Sequence, residues 1–229
     1  MPRRLRPTAE IAPAAILVGD PGRALLLAQE LLEQPKMSNH ARGLWGYFGR
    51  TRDGVSLTIQ STGMGGPSAT LVLDDLAELG VRRAVRVGTC FGLDPSGSLG
   101  DLLLVREAIA VGASATSLGV TAGATLAPDP GLTEGLAAEL GSDCQDAVVA
   151  SLDTPPPTPS ASATKAIAAD MQTAPLLARA EALKIGLAAL LIVSERDPDC
   201  YLEKADLEER ERMAGGAAST VLSQAEVEG

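Results

Sequence analysis

Two arginines stand out by their surroundings. Arg23 closes Gly19-Asp-Pro-Gly-Arg23, a short loop between the apolar run 14–18 and an apolar, helix-favouring run. Glycines at a strand-to-helix junction let backbone N–H groups approach a ligand. The helix start favours negative charge, and a guanidinium grips phosphate through paired hydrogen bonds. A plain turn with a solvated arginine explains the same residues equally well. Arg86 opens Arg86-Val-Gly-Thr-Cys-Phe-Gly92 within a strand-like apolar stretch. An unpaired charge is costly to bury there, so it either snorkels to water or meets an anion. Thr89, expected just beyond that strand, adds a hydroxyl. Cys90 reads as a small packing residue rather than a nucleophile, because no histidine accompanies it.

Three further stretches carry polar groups at strand ends. Ser61-Thr-Gly-Met-Gly-Gly-Pro-Ser68 is a second glycine loop before a helix, without the order of a dinucleotide fingerprint. In Ala169-Asp-Met-Gln-Thr173, Gln172 can bond a polyol and Met171 can pack on a sugar face; Asp170 as helix cap and Met171 as core is the plainer reading. In Val193-Ser-Glu-Arg-Asp-Pro-Asp199, Glu195 is a candidate general acid, though a surface turn explains it almost as well.

The elements that must position these groups alternate. Predicted strands cover 14–18, 44–50, 55–61, 84–87, 102–105, 147–150, 166–169 and 187–193; predicted helices cover 23–33, 67–79, 130–140, 172–183 and 205–224. Strands interleaved with helices imply an α/β fold with a largely parallel or mixed sheet. At 229 residues, a single domain over 1–229 is expected. Pro67 suits a first helical turn and Gly80 the position past its end. The stretch 154–163, TPPPTPSASA, reads as a mobile surface loop, and 203–212, EKADLEERER, as a solvated helix face.

Composition excludes several classes. A net charge of −10 and a sequence pI near 4.6 oppose non-specific binding to nucleic acid or an anionic membrane, so any anion site is local. Three scattered cysteines and one histidine give neither a disulfide framework nor a metal site. The cysteine usage suggests a reducing, cytoplasmic setting. No signal peptide is evident, and no apolar run reaches the roughly 18 residues that span a bilayer.

Taken in order and at these separations, GDPGR, NHARG, STGMGGPSATLVLDDLAELG and RVGTC resemble the family-one nucleoside phosphorylases, the group of hexameric purine nucleoside phosphorylase and uridine phosphorylase. The resemblance runs from about Pro7 to the terminal helix. It implies a single three-layer α/β domain around a mixed, partly barrel-like sheet, and reversible phosphorolysis of a nucleoside to free base and pentose 1-phosphate. It implies phosphate as co-substrate without a cofactor or metal, and a homo-oligomer, dimer or trimer of dimers, with shared active sites.

Residue by residue, the resemblance makes Gly19, Arg23, Arg86 and Thr89 phosphate ligands, and Arg42 in Asn39-His-Ala-Arg-Gly43 the arginine lent by a neighbouring subunit. Three guanidinium groups around one phosphate offset its charge and fix it under the anomeric carbon. Hydrolytic relatives lack that set, which favours phosphorolysis; a hydrolytic nucleosidase and a catalytically weak phosphate or sugar-phosphate binder are the alternatives. Met171 and Gln172 correspond to a sugar-binding Met-Glu, with a neutral amide in place of the carboxylate. Arg3 falls near a histidine that touches the sugar in relatives. Cys90, Phe91 and Glu195 fall at the base, Phe91 where relatives have glycine; it can stack on a base, fill the base pocket or turn into the core. Arg86 and Glu195 are the expected catalytic pair, Glu195 replacing an aspartate that protonates a purine leaving group. The pair that reads uracil in uridine phosphorylases is not apparent.

Overall fold

A computed structural model describes residues 2–155, 164–197 and 199–224. Most of the expected loop 154–163 lies outside these residues.

The chain opens with β1 (Ala14–Val18), α1 (Pro21–Leu31), β2 (Glu33–Asn39), β3 (Gly46–Arg50), β4 (Ser56–Ser61), α2 (Gly65–Glu78) and β5 (Arg83–Gly92). It continues with β6 (Leu102–Ala110), α3 (Ala113–Thr116), β7 (Thr125–Leu126), α4 (Pro130–Leu140), β8 (Gln145–Ser151) and β9 (Ala168–Asp170). It ends with α5 (Thr173–Leu183), β10 (Gly186–Asp197), β11 (Cys200–Tyr201) and α6 (Lys204–Gln224). Local chemistry accounts for several boundaries. Asp20 and Asp129 cap α1 and α4 by accepting the Arg23 and Leu132 N–H groups at 2.9 Å, and a proline follows each cap. Gly80, with φ +103°, ends α2 in a conformation that suits glycine.

The strands form one mixed sheet, β1 lying parallel between β4 and β5, with β3 and β2 extending the β4 side antiparallel. On the other side the sheet closes on itself: β5 pairs β10, β10 pairs β6, β6 pairs β8, β8 pairs β9, and β9 returns to β5. This five-strand circuit is the barrel-like part of the fold.

The faces follow from alternation along the strands. Ala15, Leu17, Ala84, Leu103, Ala189 and Leu191 pack toward α2 and α5. Their neighbours Ile16, Val85, Leu104, Ala188 and Leu190 pack toward α1, α4 and α6. The result is a sheet between two helical layers.

β5 is the pivot. One edge pairs β10 almost throughout, while the other pairs β1 only through Val87 and β9 only from Phe91. Between those pairings β1 and β9 diverge, the kind of crevice where open α/β sheets hold ligands. The predicted strand 84–87 therefore stopped short: β5 runs to Gly92, so Thr89, Cys90 and Phe91 belong to the strand rather than following it. The polar edge strand β2, the short α3, and β7 and β11 escaped the sequence reading; Glu33 begins β2 instead of ending α1.

Candidate active site

The divergence of β1 and β9 opens a cavity of about 620 Å³. Gly19, Asp20 and Arg23 reach it from the loop after β1, and Gly63, Met64 and Gly65 from the loop after β4. Arg86, Thr89, Cys90 and Phe91 come from β5, Asp170, Met171 and Gln172 from the end of β9, and Ser194 and Glu195 from β10. Of the residues that the resemblance places at the site, Arg42 and Arg3 are absent from this wall. Arg42 sits exposed in a short 3-10 turn, with left-handed φ of +60°.

Neither cavity arginine is bare. Arg86 is 4% exposed; its Nη2 donates to Asp170 Oδ2 at 2.9 Å and its Nε to Thr173 Oγ1 at 3.3 Å. The guanidinium lies directly over Gly88, where an added Cβ would fall 2.4 Å from Nη1. Asp170 is saturated: Oδ2 also accepts from the Gln172 and Thr173 N–H groups and the Thr173 hydroxyl, and Oδ1 accepts from the Ser151 hydroxyl. Asp170 thus binds the N–H groups that lead into α5, although the cap residue itself is Gln172, two positions later, and it also anchors the arginine. Across the cavity, Arg23 Nε donates to Glu211 Oε1 at 2.5 Å and Nη1 to the Val87 carbonyl at 3.3 Å.

Glu211 corrects the solvated-face reading of 203–212, for it is 5% exposed on α6. The signal was present in its spacing: Glu211 falls on the same helical stripe as the buried Ala214, Ala218 and Leu222. A buried arginine requires such a partner, because removal of either charge leaves the other uncompensated.

Gln172 is 3% exposed, and its amide is engaged. Nε2 donates to the Gly63 carbonyl at 2.6 Å and the Gly65 carbonyl at 3.3 Å, and Oε1 accepts from the Thr62 hydroxyl at 3.2 Å. Met171 is half-buried at the cavity, and Met64, 89% exposed, stands at its rim.

At the other end, a bulge between Val193 and Glu195 re-aims β10 and sets Glu195 opposite Phe91. Phe91 lines the cavity, half-buried and with its backbone paired to Ala169, rather than turning into the core. The Cys90 thiol donates to the Ile192 carbonyl at 3.5 Å; burial first, then the Asp170 charge, push it up, so it stays protonated at neutral pH. Arg3 is exposed, its backbone N–H held by Asp75 on α2. No group of metal-binding side chains occurs among the described residues, and none of their helices is long and apolar enough to cross a membrane.

The arrangement combines two guanidinium groups, two glycine-bearing loops, methionine thioethers, and an aromatic ring beside the Glu195 side chain. An anionic nucleophile held at one end can meet a leaving group protonated at the other.

Known proteins share this fold. A family model described as the phosphorylase superfamily matches residues 13–225. The purine nucleoside phosphorylase DeoD-type of Oceanobacillus iheyensis is 39% identical over 100 residues, covering 43% of this chain and 42% of that protein. The chain thus aligns with well under half the length of such curated relatives. Among solved structures, a purine nucleoside phosphorylase from Toxoplasma gondii, in complex with immucillin-H, superposes with a TM-score of 0.85 at 22% identity, covering 96% of this chain and 94% of its own. The uridine phosphorylase of Vibrio fischeri gives 0.81 at 20%, covering 93% of each. At such identities the likeness is one of fold.

Proposed function

We propose, from the premise that this chain belongs to the phosphorylase superfamily, that it is a nucleoside phosphorylase. An oxygen of inorganic phosphate bonds to the anomeric carbon as the carbon–nitrogen bond breaks. The base leaves with the electron pair and takes a proton, and pentose 1-phosphate remains. The observation that carries this reading is the convergence of Arg23 and Arg86, two buried arginines from separate elements, on one cavity with Gly19 and Thr89. Fixed donors of this kind stabilise an anion without reorganising, and they orient phosphate under the anomeric carbon. Met171 and Gln172 line the sugar region, and Cys90 and Phe91 the base region. Glu195 is the side chain available to protonate the departing base.

Charge balance extends the reading to a second copy. Glu211 and Asp170 already offset Arg23 and Arg86, so two guanidinium groups bring no net positive charge to a dianion. Arg42, exposed on its turn, is free to complete the site of a neighbouring copy in a dimer or trimer of dimers. Phosphate acts as co-substrate and no cofactor enters the scheme; a cytoplasmic enzyme fits three free cysteines.

One observation favours a second reading, a catalytically weak phosphate or sugar-phosphate binder: both arginines and Gln172 already have partners within the chain. A nucleoside panel incubated with and without phosphate separates the two. Phosphate-dependent release of free base supports the phosphorylase, and thermal stabilisation by phosphate without turnover supports the binder.

A further inference from the structure

The turn that carries Arg42 joins β2 to β3 over 40–45, and the pairing of Asn39 with Gly46 closes it. Arg42 and Gly43 are both exposed on this turn, with successive left-handed φ of +60° and +69°. Glycine takes that conformation freely. An arginine takes it at a cost, and only where the surrounding structure imposes it.

Two buried side-chain amides grip the turn. Asn39, 1% exposed at the end of β2, donates through Nδ2 to the Ala41 carbonyl at 3.3 Å and to the Leu44 carbonyl, and its Oδ1 accepts the Arg6 N–H at 2.8 Å. Gln60, fully buried on β4, reaches the same turn: its two Nε2 hydrogens face the carbonyls of Ser61 at 2.9 Å, Leu44 at 3.0 Å and Trp45 at 3.4 Å. The Leu44 carbonyl, two residues beyond Arg42, thus faces donors of both amides. Gly46 permits this approach, since an added Cβ there would fall 2.2 Å from Gln60 Oε1. The grip is anchored in turn, because Arg6 follows the segment whose Arg3, Arg4 and Leu5 N–H groups Asp75 holds on α2. A misplacement of about 1 Å in a group that orients a substrate reduces rate about a hundredfold. The direction in which Arg42 leaves the backbone therefore matters as well as its charge.

We propose that Asn39 and Gln60 are positioning residues, whose amides clamp the 40–45 turn in the left-handed form that aims Arg42 at the phosphate site of a neighbouring copy. The aiming rests on the reading that Arg42 completes that site; the clamp does not.

The test is a double-mutant cycle on the full chain, with inorganic phosphate as the varied substrate and a nucleoside that the wild type turns over. Arg42→Ala is expected to lower kcat/KM for phosphate about tenfold or more, and Asn39→Leu, similar in shape but without donors, about fivefold or more, the loss falling on KM more than on kcat. The double variant is expected to lose no more than about twofold beyond Arg42→Ala, because the clamp then has nothing to aim. Gln60→Met repeats the cycle from β4. A loss below about fivefold in both clamp variants, a loss carried mainly by kcat, or a further loss above about twofold in the double variants overturns the aiming while Arg42 keeps its role. A loss below about tenfold in Arg42→Ala overturns the aiming together with the second-copy reading. Hydrogen exchange of the wild type decides the clamp even where a variant fails to fold. The Gly43 and Leu44 N–H groups bond to the His40 and Ala41 carbonyls within the turn, and they are expected to exchange at least about tenfold more slowly than in an unstructured chain. Faster exchange overturns the clamp. Absence of phosphate-dependent turnover in wild type overturns the aiming together with the phosphorylase reading, and exchange still decides the clamp.

Discussion

Gly88→Ala adds one methyl group at the floor beneath Arg86. Its Cβ would stand 2.4 Å from Nη1, 2.5 Å from Cζ and 2.7 Å from Nη2 of that side chain. Carbon and nitrogen settle near 3.5 Å, so the guanidinium must lift by about 1 Å. It does not have that freedom, being 4% exposed and held by Asp170 at 2.9 Å and Thr173 at 3.3 Å. A lift of about 1 Å stretches the Asp170 contact beyond hydrogen-bonding range. Loss of a charge-assisted bond at a buried carboxylate amounts to roughly 2 kcal/mol, moderated by the four other donors that Asp170 keeps. For a chain of 229 residues, that lowers the melting temperature by about 4–8 °C. The larger effect falls on chemistry: misplacement of a phosphate-orienting group by about 1 Å reduces kcat/KM for phosphate about a hundredfold. Steady-state phosphorolysis with phosphate as the varied substrate, together with a thermal melt, measures both. A variant with kcat/KM within about twofold of wild type would refute the assignment of Arg86 as a phosphate ligand held in place by Asp170.

Two other perturbations test the partners of the arginines and of the N-terminal segment. Glu211→Ala leaves Arg23 with the Val87 carbonyl alone among its described partners; melting should show a loss of about 3 kcal/mol, and Glu211→Gln, which keeps an acceptor, should lose less. Asp75 on α2 accepts the backbone N–H groups of Arg3, Arg4 and Leu5 and the Arg4 guanidinium; burial alone would push its carboxyl up, but these bonds hold it below the usual range. A carboxyl depressed in the folded state contributes stability above its unfolded value near 3.9, and that contribution fades as pH falls through the folded value. Melts from pH 7 to pH 3 should therefore show a steeper acid loss in wild type than in Asp75→Asn, and parallel curves would contradict the assignment.

What the sequence revealed, and what it hid, follows from the range of the interactions involved. The bounds of α4 are read correctly because Asp129-Pro130 starts it and Gly141, at φ +53°, ends it, all local signals. Strand β1 is legible as AAILV because it is buried on both faces. Strand β2 is not: EQPKMSN is polar, carries Pro35 and lies at the sheet edge, where a proline is tolerated. β5 looked short because Gly88 interrupts its apolar run just after 84–87, yet the strand continues to Gly92, with the Arg86 guanidinium lying over Gly88. The glycine loops, arginines and strand-end residues of one cavity were legible as ordered motifs. Their partners were not, since Glu211 lies 188 positions from Arg23 and Asp170 84 from Arg86. Only the folded chain shows that the Gln172 amide is committed to a loop far from it in sequence.

The most direct test of the central claim is to incubate the protein with a panel of ribo- and 2′-deoxyribonucleosides, with and without inorganic phosphate, and to quantify free base and pentose 1-phosphate by mass spectrometry. The account expects base and pentose 1-phosphate in equal amounts, only with phosphate, and a large loss in Arg23→Ala and Arg86→Ala. Equal base release without phosphate, or none from any nucleoside with phosphate present, would contradict it.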